Sequence, residues 1–340
     1  MLRSHSGDDG DSARKISGVA YLKQNKIMKI NLSLLCFFVI SLFHGIAQQI
    51  TFSPQWTPQS QFAGYYAALE NGYYAEAGLD VSIEHPTTSY SSTNMLKDGT
   101  SDIITCELIQ AMMLSDDVKL VNLLQTTQHS TLVLVARAGD VTDLSDLAGC
   151  RIGTWKVGFS EIPHMIDEEQ HLDIEWIKQT NPLNIYIAGA IDATLAKSYN
   201  ELILFSMAGI TPGSVLNFSE YGYDFPEDGL YVTEEFYKKN PEQCRAFAEA
   251  SRKGWEWVRN NREEALEIVM KYVKKENVPT NRYNQKWMLD AVLEVQEDVK
   301  GGTPSYRLNE DAFNQLNEAL VKYGYIAKPV VFDRFIGGNR

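Results

Sequence analysis

Cysteine is scarce in this sequence: four in 340 residues, with no CxxC pair. That excludes a disulfide-built scaffold at this size. Cys106, Cys150 and Cys244 lie far apart and read as small buried hydrophobes. Histidine is equally thin. His85, His129, His164 and His171 stand alone, without metal-ligand spacing. No histidine–aspartate order accompanies Cys106 to activate it as a nucleophile. Positive charge is short as well. The formal net charge is −13, and beyond residue 47 there are 25 Lys/Arg against 41 Asp/Glu. Such a surface disfavours nucleic acid and anionic membranes but does not describe a pocket. The apolar run at 34–43 falls short of the about 20 residues a membrane span needs. No internal repeat, low-complexity tract or long linker is present.

What is there begins with a leader. Lys26 and Lys29 flank Met28, the apolar run follows, and Gly45-Ile46-Ala47 supplies a small-residue exit. This is the outline of a secretory signal peptide cleaved near Ala47, with Met28 as the expected start. Cys36 has no small residue before it, so a soluble periplasmic or secreted product is expected over a lipid-anchored one. Residues 48–340 then suit one large two-lobed domain.

The first half alternates short apolar runs with helical patterns. Strands are expected at 49–54, 80–84, 102–105, 119–124 and 132–137. Helices are expected from Thr57 to Gly72, with Pro58 at the first position, and at 88–97 and 107–114. After residue 137 the pattern restarts. Strands are expected at 150–154, 174–177, 185–187, 202–205 and 215–218, with helices at 158–170 and 189–198. The run 229–232 reads as a strand returning to the first unit, followed by amphipathic helices at 241–260, 261–273, 287–299 and 310–321. βαβ spacing of this kind implies an α/β fold with parallel sheets. One unit is inserted in another: lobe 1 at 48–137 and 226–340, lobe 2 at 138–225.

The stretch 55–86 carries Trp56, Pro58, Gln61, Phe62, Gly64, Tyr65, Tyr66, Ala67, Gly72, Tyr74, Gly78, Leu79 and Val81. In these residues the chain resembles the NMT1/THI5-like (SsuA/THI5) family, in its branch that binds thiamine-pyrimidine precursors. The run Leu144-Ser145-Asp146-Leu147-Ala148-Gly149, continuing to Gly153 and Trp155, is similar to the element that opens the second lobe in many solute-binding proteins. Here Cys150 stands where they have lysine. The resemblance implies a periplasmic-binding-protein type II fold: two α/β lobes, a hinge and a ligand cleft. It also implies capture of formylaminopyrimidine or hydroxymethylpyrimidine for an ABC permease. The expected protein is a monomer without cofactor, metal or catalysis. Relatives on the same frame bind sulfonates, nitrate or riboflavin. One cytosolic branch makes the pyrimidine from pyridoxal phosphate and its own histidine, using a cysteine-rich run that is missing here. Docking on a signalling receptor is a third reading.

Ligands in such folds sit beyond the carboxyl ends of the strands. Trp56 is therefore a candidate aromatic wall, with Gln59 and Gln61 as ring-edge partners and Tyr65 behind them. Tyr90 and Ser91 lie at a helix start, and Cys106 follows a strand. Across the cleft, Trp155 and Phe159 are the facing wall. Tyr199 and Glu201 belong to a Tyr-Asn-Glu run that the family shares, and Glu201 is the acid expected to read an aminopyrimidine. Phe225 and Asp228 sit in a turn expected to be the hinge.

Overall fold

The computed structural model describes Met1 and residues 48–337, except 88, 156–158 and 180–181. The expected signal peptide therefore lies outside the described residues. Residues Gln48–Arg340 form one compact unit. Its strands are β1 (Gln48–Ser53), β2 (Leu79–Ile83), β3 (Ile103–Glu107), β4 (Leu120–Gln125), β5 (Leu132–Ala136), β6 (Arg151–Trp155), β7 (Glu175–Gln179), β8 (Ala193–Lys197), β9 (Ser214–Asn217) and β10 (Asp228–Thr233).

They make two sheets of the same plan. The first runs β2-β1-β3-β10-β4 and the second β7-β6-β8-β5-β9. In each, three parallel strands are followed by one antiparallel strand that comes from the crossing between lobes. β10 returns to the first sheet as the sequence implies. β5 does not stay there. It pairs with β8 and β9, so the second lobe starts before Leu132 and not at 138. The reason is its pattern: Leu132, Leu134 and Ala136 fill one core while Val133 and Val135 fill another, a strand buried on both faces.

The stretch 185–207 is also out of phase with the sequence reading. Residues 182–187 form a helix, 193–197 are β8, and Glu201–Met207 is a helix. Ala193-Thr-Leu-Ala-Lys197 has helix-forming composition, yet it is wholly buried between β6 and β5, where pairing overrides propensity. The apolar run 202–205 looks like a strand but packs a short helix on the sheet through Phe205 and Tyr186. The correction places Tyr199 and Asn200 just past the carboxyl end of a strand.

The first helix also starts later than expected. Gln59 is extended, residues 60–62 make one 3₁₀ turn, and Ala63–Glu70 is the α-helix. Thr57 does not cap it. The amide of Gln285, from the distant helix Arg282–Val295, accepts from Ser60 N at 2.7 Å instead. The helix Ala63–Glu70 crosses Pro241–Asn260 at a pair of glycines. A Cβ on Gly254 would lie 2.1 Å from the carbonyl oxygen of Gly64. The long C-terminal helices thus close on the first sheet over Phe52, Tyr65, Phe247 and Trp255. Among the three described cysteines all thiols are free; Cys106 and Cys244 are buried, and Cys150 is half-buried.

Candidate functional site

Two spans of chain join the lobes, 126–131 and 218–227, and they are laced together. Thr127 Oγ1 accepts from Asp228 N at 2.6 Å, and Thr126 N donates to Asp228 O at 2.8 Å. Glu227 accepts from Thr131 N at 2.8 Å and from Thr131 Oγ1 at 2.5 Å. Asp224 accepts from Ser130 N at 2.8 Å and from His129 Nδ1 at 2.7 Å. Hydrogen bonds to charged groups contribute roughly 1.5–3 kcal/mol each. The two connecting spans are thus tied together as one joint.

Above the hinge the strand ends of both lobes meet. Lys197, at the end of β8, points its ammonium at Glu107, at the end of β3, at 2.7 Å, and at Glu227 at 2.9 Å. All three are buried. Burial alone would lower the Lys197 pKa, but Glu107 and Glu227 outweigh it and the net direction is up. Glu107 is pushed up to about 8, first by burial and then by Glu227 against the opposing Lys197. Two carboxylates share one ammonium, so one of them holds its proton more tightly.

Next to this triad, a cavity of about 40 Å³ lies between the lobes. Phe159, Tyr223 and Phe225 supply its rings, and Glu107, Glu161, Glu227 and Lys197 its charges. Phe159 sits at φ +67, a strained setting for a non-glycine residue, with the Lys197 ammonium 4.7 Å above its ring. The volume suits water and not a heterocycle. The lobes are in contact beyond the cavity. Met165, from the helix Glu161–Gln170, belongs to the first lobe's apolar cluster with Leu308, Phe313 and Leu316. Lys322 meets Glu169 at 3.1 Å.

A second group surrounds Asp228. Its carboxylate accepts from Gln55 Nε2 at 2.8 Å and from Gln61 Nε2 at 2.6 Å. Gln59 donates to Gln61 Oε1 at 2.5 Å. Burial first, against the help of Gln61, raises Asp228 to about 6. Tyr65, Cys106 and Tyr199 all feel the Asp228 charge, after burial, in the upward direction of their own pKa values. Of the sequence candidates, Gln59, Gln61, Cys106, Tyr199 and Asp228 are thus brought together, and Phe159 and Phe225 line the cavity.

The others fall differently. Trp56 is 45% exposed after β1, its carbonyl accepting from His85 Nδ1 at 2.6 Å. Burial lowers the His85 pKa, and its Nε2 lies 3.0 Å from the Tyr66 hydroxyl. Tyr65 is core, packed on Phe52 and Trp255. Tyr90 bonds to Asp98 and to Thr100, at the far end of the short helix that follows it. Ser91 caps the helix Ser92–Lys97, accepting from Asn94 N. Trp155 ends β6, half-buried, beside β7. Glu201 is buried with both oxygens engaged, by Lys197 N at 2.7 Å and Asn200 Nδ2 at 2.9 Å. Sequence reasoning missed Lys197, Glu161 and Gln55. A lysine closing the run 193–197 was the available signal, hidden by reading that run as helix. No metal-ligating cluster occurs among the described residues, and no described helix is long and apolar enough to cross a membrane.

This architecture is the periplasmic-binding-protein fold, shared with solute-binding components of import systems. The aliphatic sulphonate binding protein SsuA of Escherichia coli superposes with a TM-score of 0.60 at 13% identity, over 85% of this chain and 92% of that one. The desulfurization enzyme DSZB superposes at 0.57 and 14% identity, over 86% and 97%. The profile described as NMT1/THI5 like matches residues 59–265, and the chain belongs to that family. Its relatives include the formylaminopyrimidine-binding protein of Halalkalibacterium halodurans, 24% identical over 289 residues, covering 81% of this chain and 86% of the relative. The putative binding protein YtlA of Bacillus subtilis is 26% identical over 299 residues, covering 81% and 84%.

Proposed function

We propose that this protein captures a small, flat aminopyrimidine of the formylaminopyrimidine or hydroxymethylpyrimidine kind outside the cytoplasm and presents it, unchanged, to an ABC permease. It acts as a monomer, by closure of two lobes about the laced hinge. The observation that carries this reading is the character of the cleft. Its rings are Phe159, Tyr223 and Phe225, its charges are mostly carboxylates, and its lysine is already paired. A sulfonate or nitrate would need a free cation there. A flat ring with N–H donors needs aromatic faces and acceptors. The named relative from H. halodurans supports the ligand class.

An enzymatic role for Cys106 lacks support. Burial holds its thiol well above the usual range, and Asp228 and Glu107 reinforce that.

Isothermal titration with hydroxymethylpyrimidine, formylaminopyrimidine, taurine, nitrate and riboflavin tests the reading. Binding of the pyrimidines alone is expected, and binding of taurine or nitrate alone would remove it. Trp56→Ala should weaken the pyrimidine by at least about tenfold if its exposed indole swings onto the ring. An unchanged affinity takes Trp56 out of the site.

A further inference from the structure

We propose that Glu161 is the carboxylate that selects the solute, and that the solute meets it with an N–H donor or a positive charge. This rests on the aminopyrimidine reading of the cleft and names the residue that reads the amine. Three carboxylates and one ammonium line the cavity: Glu107, Glu161, Glu227 and Lys197. Lys197 is committed to Glu107 and Glu227. Glu227 is further held by Ser130 Oγ at 3.0 Å and by Thr131. Glu201, the acid the sequence points to, accepts from Lys197 N and Asn200 and does not line the cavity. Glu161 remains. No described side chain donates to it, and its walls are Phe159, Ile162, Tyr223 and Phe225.

An acid in such surroundings is costly unless something donates to it. Burial raises its pKa, opposed by the backbone amides at its own helix start and only last by Lys197. Among the described residues no side chain donates to Glu161 and only backbone amides and the Lys197 charge oppose the effect of burial, and an exocyclic amine on a planar ring is a donor that fits between these rings and the acid. The residue is also delivered by closure. It sits on the second lobe, and its carbonyl accepts from Tyr325 Oη of the first at 3.5 Å. An anionic solute meets the same acid as a repulsion, so one residue attracts amines and rejects oxyanions.

The test compares two probes on the whole protein by isothermal titration: hydroxymethylpyrimidine and its analogue lacking the exocyclic amine. The wild type should prefer the amine by at least about tenfold. Glu161→Gln should erase most of that preference, and Glu161→Asp should recover part of it. If the wild type prefers the amine and Glu161→Gln keeps the full preference, Glu161 is not the selector and the aminopyrimidine reading stands. If the wild type binds neither probe, the aminopyrimidine reading fails and the role of Glu161 with it. Should Glu161→Gln fail to fold, equal wild-type affinity for the two probes would overturn the proposal.

Discussion

Among the described residues two ion-pair sites join the lobes, one at the junction and one at the rim. At the junction Lys197, Glu107 and Glu227 are 7%, 6% and 10% exposed. At the rim Lys322 and Glu169 meet at a similar distance but are 61% and 47% exposed. Water and salt screen the second pair and scarcely reach the first. The geometry is nearly the same, so solvent access decides which contact governs the closed form. The buried triad is also unbalanced, two acids to one base, while the rim pair is balanced. A protonation step can therefore alter the junction and leave the rim untouched.

Breaking the junction should have the largest effect. Lys197→Met leaves the buried Glu107 and Glu227 facing each other without a cation and should cost about 3–5 kcal/mol in denaturant unfolding. Adding Glu107→Gln and Glu227→Gln should return much of that. A loss no larger than that of a surface lysine would show the triad is not buried in solution.

The next effect is one of pH. Glu107 faces Lys197, Glu227 and Asp228, and its carboxyl is held up to about 8 from 4.5. The folded protein keeps a proton that the unfolded chain releases. Its contribution is complete below pH 4.5 and is lost as pH rises toward about 8. Lys197 is raised above 10.5, so it keeps its charge across that window. Melting temperature should therefore fall across the window by more in the wild type than in Glu107→Gln. Parallel curves would exclude Glu107 as the titrating group.

The smallest effect is expected at the rim. Lys322→Met should shift the melting temperature within experimental scatter at physiological salt, with any low-salt difference disappearing as salt is added. A large, salt-independent loss would overturn the contrast between the two sites.

Much of the architecture was legible because buried strands, parallel or antiparallel, write themselves as short apolar runs between helical patterns. β1 to β4, β6 and β10 read correctly for that reason. The reading failed where composition and environment disagree. Ala193–Lys197 has a helix's residues in a strand's place, and Glu201–Met207 the reverse. That slip hid Lys197, a charge that only the other lobe's carboxylates explain. β5 was assigned to the wrong lobe because an apolar run does not say which sheet it joins. Of the residues lining the cavity, Phe159 was legible as a residue beyond a strand end, and Phe225, with Asp228 beside it, as part of the turn at the second crossing. Glu161 was not, because the first residue of an amphipathic helix reads as ordinary dipole complementation. Ser91 proved to be a cap, the plain meaning of serine before a helix.

The lacing of the two connecting spans constrains how the molecule moves. Asp224 and Glu227 on one span are bonded to Ser130 and Thr131 on the other, so neither can bend while its neighbour stays still. The joint is thereby cross-tied as a single strap, and Thr131→Val, which removes the hydroxyl that donates to Glu227, should loosen it.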